Sequence, residues 1–229
     1  MKSIFIFILI INGFLFSQSK DPDLLLKKVK EEFSKVKNYQ VDVNIKVDVD
    51  FIKVPETKAK IYFKQPDKIH FDAEGFAMLP KEGINFSPLS FLKKNYTSIY
   101  EKEENIDGNP VSVIKVIPSS EKGDIVLTTL WIDQVENIIR KVESTTKSNG
   151  TFTIELKYED GKREFYLPKA MIFSFNIDKM NLPKAFNSDT ETETKKNLGK
   201  TTTGKVFITY SNYIINKGIP DNMFEKKKK

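Results

Sequence analysis

From Tyr39 to Phe51 the chain alternates without a break. Tyr39, Val41, Val43, Ile45, Val47, Val49 and Phe51 occupy one phase; Gln40, Asp42, Asn44, Lys46, Asp48 and Asp50 occupy the other. A period of two specifies a half-buried β-strand. At about 3.3 Å per residue the run would reach roughly 40 Å, twice the usual strand, and a sheet of such strands must twist and curl. The same phase continues in Ala59, Ile61 and Phe63 and again in Ile69, Phe71 and Ala73, with turns at Pro55 and at Gln65-Pro66-Asp67. This predicts three strands in a meander. Ahead of them the period is helical: Asp21-Pro22-Asp23 supplies an N-cap, a first-turn proline and early acids, and Leu25, Val29, Phe33 and Val36 make an amphipathic stripe ending near Asn38.

Beyond the meander, GFAMLPKEGINFSP is apolar but interrupted by Gly75, Pro80, Gly83 and Pro88, which reads as a loop or a short irregular strand. Leu89, Leu92, Tyr96 and Ile99 then predict a second helix of about three turns. After the Asp107-Gly108-Asn109-Pro110 turn, strand patterns cover residues 111–117, 125–132, 138–145, 152–158, 165–167, 171–177 and 206–213. Asn149-Gly150 and Asp160-Gly161 are two-residue hairpin signals. The polar stretch 187–204 reads as a mobile loop, and the lysines of 226–229 as a solvated basic tail. No repeat is evident. The expected architecture is α+β: one large curled antiparallel sheet, an incomplete β-barrel, with helices covering its concave face.

The N-terminus changes the picture of where the domain works. MKSIFIFILIINGFLFSQ has a lysine, an apolar run and a small residue in the order of a secretory signal, so residues 1–17 are expected to be cleaved, leaving one domain over 18–229. Asn12 and Gly13 interrupt the run well before the about 20 apolar residues a spanning helix needs. The 229 residues contain no cysteine, which excludes disulfides, thiolate metal sites, a cysteine nucleophile and a lipid carried on an N-terminal cysteine. A soluble, unanchored periplasmic protein is expected. The formal charge is +6, with lysines interleaved among 31 acidic residues, an ordinary solvated surface; export argues against nucleic acid as a partner.

Candidate chemistry is sparse. His70 is the single histidine and falls in the polar phase of its strand. Asp48 and Asp50 share a strand face as any solvated alternation places them. Glu101, Glu103, Glu104 and Asp107 lack calcium-loop spacing and read as an exposed charged end. Phosphate loops, dinucleotide fingerprints and the common hydrolase motifs are missing. Catalytic residues, metal ligands and cofactors are therefore none in expectation, and the protein is expected to be no enzyme. By contrast, a curled sheet has an apolar concave face to fill, and eighteen phenylalanines and eight tyrosines can fill it. Phe76, Ala77, Met78 and Leu79 form an adaptable lipophilic patch in a glycine- and proline-flanked loop.

The order of these pieces resembles the LolA-like periplasmic outer-membrane lipoprotein carriers and sorting proteins, a group sharing its fold with LolB, RseB and mycobacterial lipid-binding lipoproteins. The matching stretches run from about Leu24 to Phe224: the opening helix with NYQVDVNIKVDVDF, then YFKQPDKIHFD, GFAMLPKEG, IDGNPVSVIKVIP, TTLWIDQVENIIRKVE and VFITYSNYIINKGIPDNMF. The resemblance implies an incomplete barrel capped by helices, whose apolar interior carries acyl chains across the periplasm without ATP. Its implied partners are acylated lipoproteins or lipids, an inner-membrane release complex and an outer-membrane acceptor, with the carrier a monomer. The family's lid arginine has no match in Arg140 or Arg163, so the lid mechanism is not carried over. On this basis Phe63, Phe71, Phe76, Met78, Leu79, Phe86, Leu92 and Trp131 are the expected lipid-binding lining. The alternatives are an RseB-like sensor of misplaced lipids or lipoproteins, and a structural module with a fully packed core.

Overall fold

The computed structural model describes residues 20–49, 55–73, 95–119, 123–161, 163–176 and 203–225. The expected signal segment 1–17, the GFAMLP patch, most of the 187–204 stretch and the lysines of 226–229 lie outside these residues.

Helix α1 spans Pro22–Ser34. The Asp21 carboxylate accepts from the N–H groups of Asp23 and Leu24, Pro22 opens the first turn, and Leu26 and Val29 are buried. The helix stops four residues before the expected Asn38. Its last turn tightens as the Val36 N–H reaches Phe33 O at 3.1 Å, and the Asn216 side chain takes the N–H groups of Lys37 and Asn38. These contacts redirect the chain into a strand although Val36 stays buried.

Ten strands follow: β1 Asn38–Asp48, β2 Thr57–Lys64, β3 Lys68–Ala73, β4 Tyr96–Ile106, β5 Asn109–Pro118, β6 Ile125–Asp133, β7 Ile139–Thr146, β8 Thr151–Lys157, β9 Ala170–Asn176 and β10 Thr203–Ile215. They form one antiparallel sheet in the order β3-β2-β1-β10-β9-β8-β7-β6-β5-β4, curled but not closed. The meander β1-β2-β3 and the register of β1 on both neighbours match the alternation: Val41, Val43 and Ile45 are buried on one face. That face carries the main core, joined by Leu26 and Val29 of α1 and by Leu130, Ile154, Phe173 and Ile208 from across the sheet. A short 3-10 helix, Asp221–Phe224, closes the described chain, and Asp221 pairs with Lys64 and Lys68 of the β2–β3 hairpin.

The structure corrects several expectations. Tyr96 and Ile99 belong to β4 and not to a second helix; Tyr96, Ser98 and Tyr100 alternate against β5, and a bulge between Tyr100 and Lys102 flips the phase. The helical spacing there coincided with a β-prone run whose partner strand decides the outcome. Residues 165–167 are not a strand, and Asp160-Gly161 does not make a hairpin: Gly161 has φ +88, but the chain reaches β9 through irregular backbone in which Pro168 has no N–H to donate. Thr203 and Gly204, expected in the polar loop, already pair with β9. Asn149-Gly150 does lie in the turn from β7 to β8, but that turn is the four residues 147–150 and not a two-residue one, with Gly150 at φ +70 and its carbonyl accepting from the Thr146 N–H.

Candidate functional site

A pocket opens between the last turns of α1 and the apolar face of the sheet. Helix α1 contributes Val29, Glu32 and Phe33, β1 contributes Tyr39 and β2 contributes Phe63. Tyr39 and Phe63 are direct cross-strand partners, and their rings stack at 5.1 Å. Phe33 meets Phe63 edge-on at 5.6 Å, tying the helix to this pair. The far wall comes from Asn137, Ile138 and Ile139, from Leu156 and Tyr158 at the end of β8, and from residues 166–168.

The floor is completed by Tyr210 and Tyr213, three positions apart on β10 yet on one face. They align because β10 holds one extra residue against the Gln40–Asp42 stretch of β1, with Asn212 at φ +55. A bulge of this kind re-aims the side chains that follow it. Tyr213 packs on Tyr39 at 5.6 Å and on Tyr210 at 6.1 Å.

The phenols are positioned by their hydroxyls. Tyr158 donates to Ile139 O at 2.9 Å and Tyr213 to Pro168 O at 2.8 Å, while Tyr210 points at the Met171 sulfur. Burial pushes the ionisation of Tyr39, Tyr158, Tyr210 and Tyr213 far above the ordinary phenol range. Tyr166 is also raised, by desolvation first and then by its hydrogen bond to the Glu136 carboxylate. In the lining, Glu32 accepts from Lys35 Nζ through Oε2 at 2.6 Å, whereas its buried Oε1 has no hydrogen-bond partner among the described residues. The volume is about 50 Å³, room for a few water molecules and far below the several hundred Å³ of a drug-sized ligand site. Among the described residues no group of three or more His, Cys, Asp or Glu side chains converges on a metal position.

The expected lining residues separate. Phe63 lies in the pocket, and Phe71, on β3, packs half-buried against the main core. Trp131 is on the opposite face of the sheet: it alternates with the core residues Leu130 and Ile132 and forms a second cluster with Val111, Val113 and Ile106. There its Nε1 donates to Glu104 at 2.7 Å and Lys141 Nζ sits 4.4 Å from its ring centre. Glu104 is thus engaged and not simply part of an exposed charged end. Phe76, Met78, Leu79, Phe86 and Leu92 lie outside the described residues. Sequence reasoning passed over the tyrosines and Glu32. Tyr39 opens one alternating run and Tyr158 continues the phase of Phe152, Ile154 and Leu156, so both carried a usable signal; Tyr166 and Tyr213 carried none, because irregular backbone and a bulge bring them in.

No protein-family model matches this sequence, and no curated protein matches it. Solved structures do match in fold. A LolA superfamily protein from Nitrosomonas europaea superposes with a TM-score of 0.57 at 13% identity, covering 90% of this chain and 98% of its own. A putative outer membrane lipoprotein-sorting protein domain from Vibrio parahaemolyticus gives 0.60 at 9% identity, covering 89% and 97%. A DUF1329 family protein from Desulfovibrio piger gives 0.57 at 12% identity, covering 90% and 98%. The fold is LolA-like: an open, curled antiparallel sheet with a helix on its apolar face.

Proposed function

We propose that this chain is an exported, non-enzymatic carrier that shields the acyl chains of lipoproteins or other lipids between α1 and the apolar face of the sheet, and delivers them across the periplasm toward the outer membrane. One observation supports this most: beneath α1, an open LolA-like sheet presents an aromatic, largely apolar pocket where a closed core would otherwise be. In this reading Phe63 lines the described pocket, and Phe71, Phe76, Met78, Leu79, Phe86 and Leu92 extend the lining once the pocket opens. An inner-membrane release complex loads the monomer and an outer-membrane acceptor unloads it.

The resting pocket is too small for an acyl chain, so α1 must lift. Among the described residues the polar ties across that interface are Ser98 to Asp23, Lys30 approaching Tyr96 at 3.5 Å, and the Gln65 amide donating to Ser34 O at 3.3 Å and, just past the helix, to Val36 O at 2.9 Å. Uncovering Leu26, Val29 and Phe33 costs about 1.5–3 kcal/mol each, while an acyl chain recovers about 0.8 kcal/mol per buried methylene. Some ten methylenes, at roughly 8 kcal/mol, offset the opening without exceeding it greatly. Loading and release then need no nucleotide energy, only a membrane or acceptor that competes for the chain.

Delipidated protein is expected to take up a fluorescent fatty acid saturably at micromolar concentration, and native mass spectrometry of the purified protein to show a co-purifying lipid. A folded protein that takes up no acyl probe overturns the proposal.

A further inference from the structure

Glu32 sets an unanswered electrostatic question in the lining of the pocket. One carboxylate oxygen is satisfied by Lys35, and the other is buried without a donor among the described residues. Leaving a buried acceptor unmade costs about 1–3 kcal/mol, more when it is charged. The nearby hydroxyls do not answer it: Tyr158 and Tyr213 donate to backbone carbonyls and Tyr166 donates to Glu136. Among the described residues the lining contains no lysine, arginine or histidine. It is instead rich in tyrosine and phenylalanine rings, whose π-faces attract cations. A carboxylate whose one cation, Lys35, occupies only its Oε2, together with an aromatic surround, describes a receptor for a positively charged hydrogen-bond donor at Oε1.

We propose that this pocket selects amphiphiles carrying a primary ammonium, which donates to Glu32 Oε1 while the attached alkyl stem lies among Phe33, Tyr39 and Phe63. The inference rests on the carrier reading and names the headgroup that the carrier prefers. A primary ammonium is close to water in size, so the head needs no more than the resting cavity of about 50 Å³, and only the stem requires α1 to shift. A quaternary ammonium has the charge but no N–H, and a carboxylate or phosphate head meets the like charge of Glu32.

The test compares decylammonium, decyltrimethylammonium and decanoate, three probes of equal chain length, as competitors of a fluorescent acyl probe on the purified protein. A charge-assisted hydrogen bond predicts that decylammonium competes about tenfold or more better than the other two. Glu32→Gln should bring all three within about threefold of one another, whereas Lys35→Met, which removes only the exposed partner, should keep or strengthen the preference. If the wild-type protein takes the three probes equally, or Glu32→Gln keeps the full preference, the headgroup inference falls while the carrier reading stands. If none of them competes and the acyl probe itself does not bind, both fall.

Discussion

The ring of Phe175 on β9 lies across Gly204, its paired residue on β10: a Cβ at Gly204 would stand 2.6 Å from the ring Cζ and 2.8 Å from Cε2. Phe175 is buried and meets the Phe173 ring at a tilt, 5.3 Å between centres, so the ring cannot swing away freely. Gly204→Ala is therefore expected to lower stability by about 1–3 kcal/mol through overpacking, read as a reduced urea midpoint at unchanged slope. In a Phe175→Leu background the added methyl should cost much less, and additive losses would refute the steric explanation.

Asp133 organises the turn that carries Asn137 and Ile138 to the pocket. Its Oδ1 accepts from the N–H groups of Val135 and Glu136, both at 2.8 Å, and its Oδ2 from Arg140 Nε at 2.6 Å. Asp133→Ala leaves a half-buried guanidinium and two N–H groups unpaired, an expected loss of about 3–5 kcal/mol by denaturant unfolding. Asp133→Asn keeps the turn acceptor and should lose less.

The buried phenols give the protein an alkaline limit. Below about pH 10 they are neutral in both folded and unfolded chains, and their contribution is constant. Above it the unfolded chain releases protons that the raised pKa values of Tyr39, Tyr158, Tyr210 and Tyr213 make the fold retain, so stability falls as pH climbs toward the folded values. Urea midpoints should hold steady from about pH 8 and decline as pH rises through about 10 to 11, and Tyr158→Phe should flatten the decline. Asp221, held low by Lys68 and Lys64, acts with the opposite sign: its share is present above the ordinary aspartate pKa and fades as pH falls, weakly because the pair is exposed.

The two faces of the sheet separate the roles of Phe63 and Trp131. Phe63→Ala should depress acyl-probe uptake beyond what its stability loss explains, whereas Trp131→Phe should leave uptake unchanged. Emission from Trp131, the single tryptophan, is expected to report unfolding but to stay constant when the probe enters from the other face.

Helix lifting can be tested because the chain has no cysteine. Ser98 and Asp23 touch through their side chains, so Ser98→Cys with Asp23→Cys installs a lone thiol pair between β4 and α1. Oxidation should block uptake of the acyl probe and reduction restore it. Equal uptake by the oxidised and reduced proteins would show that α1 does not gate the pocket.

Local regularities carried a large part of the architecture. The alternation of β1 placed Val41, Val43 and Ile45 on the core side, and Asp21-Pro22 marked the start of α1, because side-chain period and capping chemistry act within a few residues. Tyr96 and Ile99 went astray for the converse reason. Their spacing fits a helix, and only pairing with β5 makes that stretch a strand. Trp131 is expected on the concave, lipid-lining face, yet its phase relative to Leu130 and Ile132 puts it on the outer face.

The sequence alone determined an α+β chain whose first strands form a meander with a defined apolar face, since each of those features is written in neighbouring residues. Tertiary structure decided the pocket. Tyr39, Phe63, Tyr158 and Tyr213 converge only after β1 pairs with β10, Asn212 bulges, and residues 166–168 fold back in irregular backbone. Contacts between residues more than a hundred positions apart leave no local period to read, so neither the aromatic floor nor the unpartnered oxygen of Glu32 above it could be seen before the sheet was assembled.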